Sequence, residues 1–208
     1  TLIFKKSNFL YGFHRAKIHI RKEGAIIVEG PMDVISCAKL NINNVIAPLG
    51  TALTYAHLDT LSKHTKDITF CFDGDLAGIQ ASYRAIQLAD SMGFNIKCII
   101  IPKEYKDLDE LITKNPDLAL TTITNNVLFY DYVLYTLIRA NDINSPYGKR
   151  KTLEQAVPYF KGISSSVVIE HYKKLIHEQL DVPLSVVSAA LSSDKASFAV
   201  MDDLVDKE

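Results

Sequence analysis

The segment from Gly24 to Asp33 constrains the fold more than any other part of the sequence. Residues 25–28 are four consecutive aliphatic side chains, a run typical of a strand that is covered on both faces of a sheet. Pro31 lacks the N–H that a strand needs, and residues 32–40 turn apolar at helical spacing. The segment therefore predicts a buried strand that delivers the carboxylate of Glu29 to a strand-to-helix switch, where open α/β sheets bind ligands.

The same alternation of a short apolar run and a helical segment continues along the first half of the chain. It predicts strands at 25–29, 45–47, 68–72 and 96–101, and helices at 12–22, 32–41, 55–64 and 77–89. From residue 117 onward the period is helical only, and we expect helices at 117–140, 147–160, 164–180 and 184–192. The predicted fold class is α/β: a mainly parallel four-stranded sheet flanked by helices, followed by an all-helical subdomain.

Composition narrows the class of protein. With 208 residues, 48% of them hydrophobic, the chain can bury a sizeable core, and no run approaches the roughly 18 apolar residues of a membrane span. Cys37, Cys71 and Cys98 lie in apolar segments without a Cys-x-x-Cys pair, which excludes the usual zinc frameworks and predicts buried free thiols in a reducing compartment. The first residue, Thr1, carries no export signal, and we expect the natural protein to extend further.

Charge is spread unevenly along the chain. The net charge of −1 gives no general attraction to nucleic acid, yet residues 1–24 hold six lysines and arginines against one acid, Glu23. Such a basic arm is suited to holding phosphates, and the alternative is an ordinary solvated surface.

Carboxylates follow three of the four predicted strands. Glu29 follows the first, Asp73 and Asp75 follow the third, and Asp107 and Asp109 come shortly after the fourth. Because the ends of neighbouring strands share one edge of a sheet, these groups would repel one another without a counter-charge. Mg²⁺ prefers such oxygen ligands, and two ions could assist a phosphoryl displacement.

Each carboxylate also has a simpler interpretation. Asp73-Gly74 is a common turn dipeptide, although a helix rather than a second strand follows it. Glu29 could pair with a lysine, and Asp107 and Asp109 could only cap their helix. The six histidines show no paired metal spacing and are interpreted as structural or surface residues.

Taken together, the motifs resemble the Toprim domain, and most fully that of bacterial DnaG-type primases. The similar segments are Glu29-Gly30-x-Met32-Asp33, Gly50-Thr51-Ala52, Asp73-Gly74-Asp75-x-Ala77-Gly78, Asp107-x-Asp109-Glu110, and the lead-in 3–12. Pro31 replaces an aromatic residue, and Leu108 a proline, that the family often shows, and neither change removes a carboxylate.

The resemblance implies a primase catalytic-core fragment that makes RNA primers on single-stranded DNA from ribonucleoside triphosphates. It implies these roles: Glu29, Asp73 and Asp75 as catalytic metal ligands, Asp109 and Asp107 as further ligands, Asp33 as support, and Lys6 and Lys17 for nucleotide or template. Mg²⁺ would be the cofactor, replaceable by Mn²⁺, with zinc expected only in an amino-terminal domain not in this chain. A helicase would bind through a carboxyl-terminal domain also expected outside it, and the protein would work in the bacterial cytoplasm.

The resemblance also divides the chain. It implies the end of a basic subdomain at 1–23, the Toprim domain at 24–115, a helical subdomain at 116–192 and a linker or tail at 193–208. Two rival functions stay open: a Toprim nuclease, in which Glu29 would act as general acid or base, and a non-catalytic Toprim docking module.

Overall fold

The computed structural model describes the backbone of residues 5–73 and 76–192, and the side chains of the same residues apart from 72–82. The chain divides into two compact units, Thr1–Phe129 and Tyr130–Glu208. The sequence-based division at 24–115 and 116–192 stays a prediction. Within the described residues no helix is both long and apolar enough to span a bilayer.

The first unit is built around one sheet of six strands. The strands are β1 (Leu10–Tyr11), β2 (Ala25–Ile27), β3 (Val45–Pro48), β4 (Asp67–Asp73), β5 (Asn95–Ile101) and β6 (Val127–Leu128). Their order is β1-β3-β2-β4-β5-β6; the central four strands are parallel, and the two-residue strands at the edges are antiparallel. The predicted parallel strands are confirmed, and the two short edge strands were not foreseen.

Helices lie between the strands along the chain, and those between the parallel strands form crossover connections. They are α1 (Phe13–Glu23), α2 (Pro31–Lys39), α3 (Tyr55–Ser62), α4 (Leu76–Ser91), α5 (Leu108–Lys114) and α6 (Pro116–Thr124). Aliphatic residues of the strands, such as Val45 and Ile99, pack with Leu108 and Leu111 of α5 in one buried cluster. Burial of this apolar surface is the main force that holds α5 against the sheet.

The register of the parallel strands decides which chain ends meet. Ile27 of β2 lies opposite Phe70 of β4. Extended two residues past the end of β2, the same register would place the backbone of Glu29 opposite Phe72, the residue before Asp73 at the end of β4. Because neighbouring strands are about 4.8 Å apart, the register supports a shared edge for these two segments.

The single helix predicted at 117–140 is wrong. The structure has α6, then β6, then α7 (Phe129–Ala140), and β6 adds to the sheet through Cys98 opposite Val127. The α6 helix ends at Thr124 with Asn125 as its C-cap, and the Asn126 side chain donates to the carbonyl of Ile123 at 3.2 Å. Asparagine competes for backbone hydrogen bonds in this way, which favours a helix end over its continuation.

The second unit is helical in its described part, as predicted. After α7 come α8 (Pro146–Phe160), α9 (Ser166–Leu180) and α10 (Leu184–Ser192). The rings of Tyr130, Phe160 and Tyr172 pack on one another with centroids 5.3–5.7 Å apart. The hydroxyl of Tyr172 donates to the carboxylate of Asp131 at 2.9 Å, which satisfies a polar group within an aromatic core.

Candidate functional site

A cleft opens at the carboxyl ends of β2, β3 and β4. Its volume is about 210 Å³, and its described lining consists of Ile27, Val28, Glu29, Pro48, Thr51, Ala52, Leu53, Phe70, Cys71 and Ala85. Glu29 is exposed at this cleft, and Thr51 and Ala52 come from the loop after β3. The site therefore lies at the strand ends, where the sequence predicted ligand binding.

The two carboxylates predicted to join Glu29 can be followed only in part. Asp73 is the last residue of β4, two positions after Cys71, which lines the cleft. The Asp73 side chain and the whole of Asp75 lie outside the described residues. Their predicted roles as catalytic metal ligands stay predictions.

Asp33 is buried in the first turn of α2 and bonds to backbone rather than facing the cleft. Its carboxylate accepts the N–H of Gly30 at 3.1 Å and the N–H of Asp109 at 3.1 Å. The pKa of Asp33 is raised above its ordinary value, mainly because the carboxyl group is buried. The two N–H donors lower the pKa in part, and the nearby charges of Asp107 and Asp109 raise it further. Asp33 therefore connects the loop that follows Glu29 to the start of α5.

The predicted pair Asp107 and Asp109 lies at the start of α5. Asp107 is the N-cap, and its carboxylate accepts the N–H of Glu110 at 2.8 Å. Asp109 accepts a hydrogen bond from the hydroxyl of Ser36, which is 0% exposed in α2. Capping, the simpler interpretation, holds for Asp107, and each carboxylate keeps a second oxygen for another partner.

Ser36 is a residue that the sequence reasoning missed. The only signal available was a small polar residue on the otherwise apolar face of a predicted helix, next to Cys37. Burial and then the charges of Asp33 and Asp109 raise the pKa of Cys37 to about 12, so its thiol stays neutral. The three cysteines are free and buried, as predicted.

The described carboxylates fit a divalent cation by chemistry but do not form a complete site by themselves. Hard oxygen donors suit a hard cation such as Mg²⁺. Among the described residues, however, no group of three or more His, Cys, Asp or Glu is arranged to hold a metal ion. A metal site of the predicted kind would therefore need Asp73 and Asp75 to complete it, and that part of the hypothesis stays a prediction.

The two lysines predicted to contact nucleotide or template lie on different elements. Lys6 begins a short 3₁₀ turn, Lys6–Asn8, and its carbonyl accepts the Nε2 hydrogen of His57 at 3.2 Å. Lys17 lies on α1, close enough to His64 for its charge to lower that histidine's pKa. Their ligand contacts stay predictions.

Known proteins resemble both units. Residues 26–112 match the family described as Toprim-like, and residues 130–185 match the DnaB-helicase binding domain of primase. A DNA primase of Legionella pneumophila is 35% identical over 187 residues, which cover 86% of this chain and 31% of that protein. The chain spans about a third of the length of the curated relatives that it matches.

Solved structures agree with this result. The crystal structure of a DNA primase domain from Pseudomonas aeruginosa superposes with a TM-score of 0.75 at 27% identity, covering 93% of this chain and 62% of that one. A DnaG primase catalytic domain bound to single-stranded DNA superposes with a TM-score of 0.68 at 26% identity, covering 86% of this chain and 59% of that one.

The fold and the cleft define the first unit as a Toprim-like domain. The two matched domains and their order then give the family: the chain belongs to the bacterial DnaG-type primases, of which it covers one part. The expectation that the helicase-binding part lies outside this chain is corrected by the match of residues 130–185 to that domain.

Proposed function

We propose that this chain is the part of a bacterial primase in which the Toprim edge joins ribonucleotides into a primer on single-stranded DNA. The observation that carries the proposal is the exposed side chain of Glu29 at a cleft lined by residues from the carboxyl ends of β2, β3 and β4. The family membership and the solved relative bound to single-stranded DNA support it. Such an enzyme would act at the replication fork, in the bacterial cytoplasm.

In this proposal, the metal ligands are Glu29, Asp73 and Asp75, with the second oxygens of Asp109 and Asp107 completing the set. Divalent ions, Mg²⁺ or Mn²⁺ in its place, would when bound activate the primer 3′-hydroxyl and neutralise the departing pyrophosphate. The cleft beside Glu29 would receive the nucleotide, and Thr51 offers a hydroxyl to its phosphates.

The chain's own task is then to hold these carboxylates in a fixed geometry. Asp33 accepts N–H groups from both Gly30 and Asp109, so it sets the spacing between the Glu29 loop and α5. Its role is support, and we propose no direct contact with metal. Lys6 would contact triphosphate or template, and Lys17 the template, in both cases through charge, which makes binding salt-dependent.

The test is a pair of substitutions, Glu29→Gln and Asp73→Ala, in the full-length primase. Both should abolish primer synthesis while circular dichroism and the melting temperature stay near those of the parent protein. Mn²⁺ binding, followed by electron paramagnetic resonance, should weaken at least tenfold, a loss of about 1.4 kcal/mol. Normal synthesis by either variant would refute the assignment.

A DNA cleavage assay distinguishes the primase proposal from the alternative that the same site is a nuclease. The parent chain and Glu29→Gln are incubated with labelled DNA and Mn²⁺. The primase proposal expects no cleavage by either. Cleavage by the parent chain that is lost in Glu29→Gln would favour the nuclease. A parent chain that folds normally but binds neither Mg²⁺ nor Mn²⁺ at millimolar concentration would favour a non-catalytic docking module.

We further propose that the second unit contacts a replicative helicase, because residues 130–185 match the DnaB-helicase binding domain of primase. Exposed apolar residues are candidates for the contact, among them Val167 on α9, which is 79% exposed, and Val186 on α10, which is 47% exposed. Sedimentation with the helicase of the source bacterium should reveal a complex that Val167→Asp weakens. Tyr55→Asp, at an exposed position of the first unit, is the control and should bind normally.

A further inference from the structure

Cationic side chains surround His64, which follows the end of α3 and contacts side chains of α1. The group comprises Lys17 and Arg21 on α1, Lys63 at the end of α3, and His64 itself, and we name it the His64 patch. Arg21 donates from Nε to Nδ1 of His64 at 3.0 Å. The ring of Phe13 meets the imidazole edge-to-face at 5.3 Å. Two contacts therefore fix the imidazole, and the cations lie around a defined centre.

The patch lies at the edge of the sheet opposite the cleft. Gly24 ends α1 directly before β2, and His64 lies between α3 and the start of β4. Glu29 and Asp73 lie at the other ends of the same two strands. Because β4 has seven residues and a strand rises about 3.3 Å per residue, roughly 20 Å separate the two edges.

The positive charge of the patch is largely uncompensated. Lys63 pairs with Asp59 at 2.8 Å, but within the part of the chain that the structure describes, neither Lys17 nor Arg21 pairs with a carboxylate. The Arg21 bond to His64 uses Nε, which leaves its terminal amino groups to donate elsewhere. Burial and then the charges of Arg21, Lys17 and Lys63 lower the pKa of His64, so the imidazole stays neutral and adds no further repulsion.

We propose that the His64 patch binds the phosphodiester backbone of a nucleic-acid strand whose reacting end lies at the cleft. Guanidinium and ammonium groups bind phosphate through charge-assisted hydrogen bonds. A backbone suits the patch better than a single phosphate, since the cations are spread over two helices on an open surface. At the spacing of about 3.4 Å per nucleotide that one strand has in a duplex, 20 Å corresponds to roughly six nucleotides, and a more extended single strand would span it with fewer.

The inference rests on the proposed nucleic-acid function but not on the metal site, so the two can fail separately. Glu29→Gln should lose primer synthesis and leave DNA affinity at the patch intact. Substitutions in the patch should weaken strand binding without added Mg²⁺, where no synthesis occurs.

The first test measures binding of a labelled oligo-dT of about 20 nucleotides by fluorescence anisotropy across a salt series. Arg21→Gln should remove one phosphate contact, which lowers the slope of log K against log salt by about 0.7 and the affinity about five- to tenfold near 50 mM salt. Arg21→Lys should keep the slope because it keeps the charge. Lys174→Gln removes an exposed cation from α9 and is the matched control, with an unchanged slope.

The second test follows the His64 imidazole by NMR, a signal that a purely structural role would not move. Added oligo-dT should raise the pKa of His64, because a bound phosphate offsets the surrounding cations. Inorganic phosphate at the same phosphate concentration should raise it less. An equal rise in the pKa of His64 would assign the patch to single phosphates and overturn the proposal. In the anisotropy experiment, the proposal would also be overturned if the double variant Arg21→Gln, Lys63→Gln kept the parent's salt slope.

Discussion

The carboxylate of Asp33 accepts the backbone N–H of Asp109 at 3.1 Å, across 76 positions of sequence. The same carboxylate accepts the N–H of Gly30, the residue after Glu29. One buried side chain thus fixes the start of α5 relative to the loop that presents Glu29. A buried acceptor with two N–H donors is costly to remove, because both donors would be left without a partner. The spacing of the proposed metal ligands therefore depends on a residue that does not face the cleft.

The bond from Ser36 to Asp109 predicts a selective effect of Ser36→Ala. Losing a buried donor to a charged group should lower the free energy of unfolding by about 1.5–3 kcal/mol. It should also weaken Mn²⁺ binding, since the Asp109 carboxylate is no longer oriented. Urea denaturation and Mn²⁺ titration measure the two effects.

The matched control for Ser36→Ala is Ser62→Ala. Among the described residues, the Ser62 hydroxyl donates only to the carbonyl of Asp59, within α3, at 2.8 Å. Its removal should change the free energy of unfolding by less than about 0.5 kcal/mol and leave Mn²⁺ binding unchanged. Equal effects of the two substitutions would argue against a special role for Ser36.

Asp107 has an observed role as a helix cap and a proposed role as a metal ligand, and substitution separates the two. Asparagine caps helices about as well as aspartate, whereas alanine loses about 0.5–2 kcal/mol. Asp107→Asn should therefore keep the parent's melting temperature but reduce Mg²⁺-dependent primer synthesis in the full-length enzyme. Full activity of Asp107→Asn would restrict Asp107 to capping, and a melting temperature as low as that of Asp107→Ala would contradict the cap.

The parallel strands were predictable because each is a run of aliphatic and aromatic residues that ends at glycine, proline or aspartate. The edge strands β1 and β6 have two residues each, too few for any period, and their pairing is decided by β3 and β5. The break at Asn125 was missed because the apolar spacing continues through it. Local pattern thus gives the long elements, and tertiary pairing decides the short ones.

The candidate site shows the same limit. Glu29 at a strand end and Asp107 as a cap follow from neighbours in sequence, and the sequence predicted both. The bonds from Asp109 to Asp33 and from Ser36 to Asp109 join residues 76 and 73 positions apart, so no local pattern encodes them. They arise only once α2 and α5 pack side by side on the sheet.

Because His57 is buried as a neutral imidazole, we expect the protein to lose stability in mild acid. His57 is 0% exposed; its Nδ1 accepts the N–H of Thr54 and its Nε2 hydrogen is held by the Lys6 carbonyl, so the ring is neutral. Burial lowers its pKa below the ordinary value of 6.5, and the backbone carbonyls of Lys6 and Phe9 oppose this. Below pH 6.5 the unfolded chain binds more protons than the folded one, so stability falls as pH falls.

The measurement is the melting temperature between pH 7.5 and pH 5 for the parent and two variants. His57→Gln should be less stable at pH 7.5 by about 1–3 kcal/mol, because buried groups lose their partners, and its pH dependence should be flatter. His14→Gln, at an exposed position of α1, is the control and should follow the parent curve. If the melting temperature of His57→Gln falls with pH as steeply as that of the parent, another titrating group causes the acid sensitivity.

Gly24 predicts a strong effect on the placement of β2. Its φ of +78° favours glycine, and a Cβ atom there would lie 2.8 Å from the carbonyl oxygen of Asp67. Gly24→Ala should therefore lower the free energy of unfolding by about 1–3 kcal/mol from backbone strain, with the clash in addition. Gly30→Ala is the control, since a Cβ there would approach nothing closer than the Asp33 carboxylate at 3.7 Å. Gly30→Ala should lower the free energy of unfolding by less than about 1 kcal/mol, because Gly30 is the N-cap of α2 and alanine is the poorer cap. Urea denaturation of both variants ranks them, and the reverse order would mean that β2 does not depend on the tight turn at Gly24.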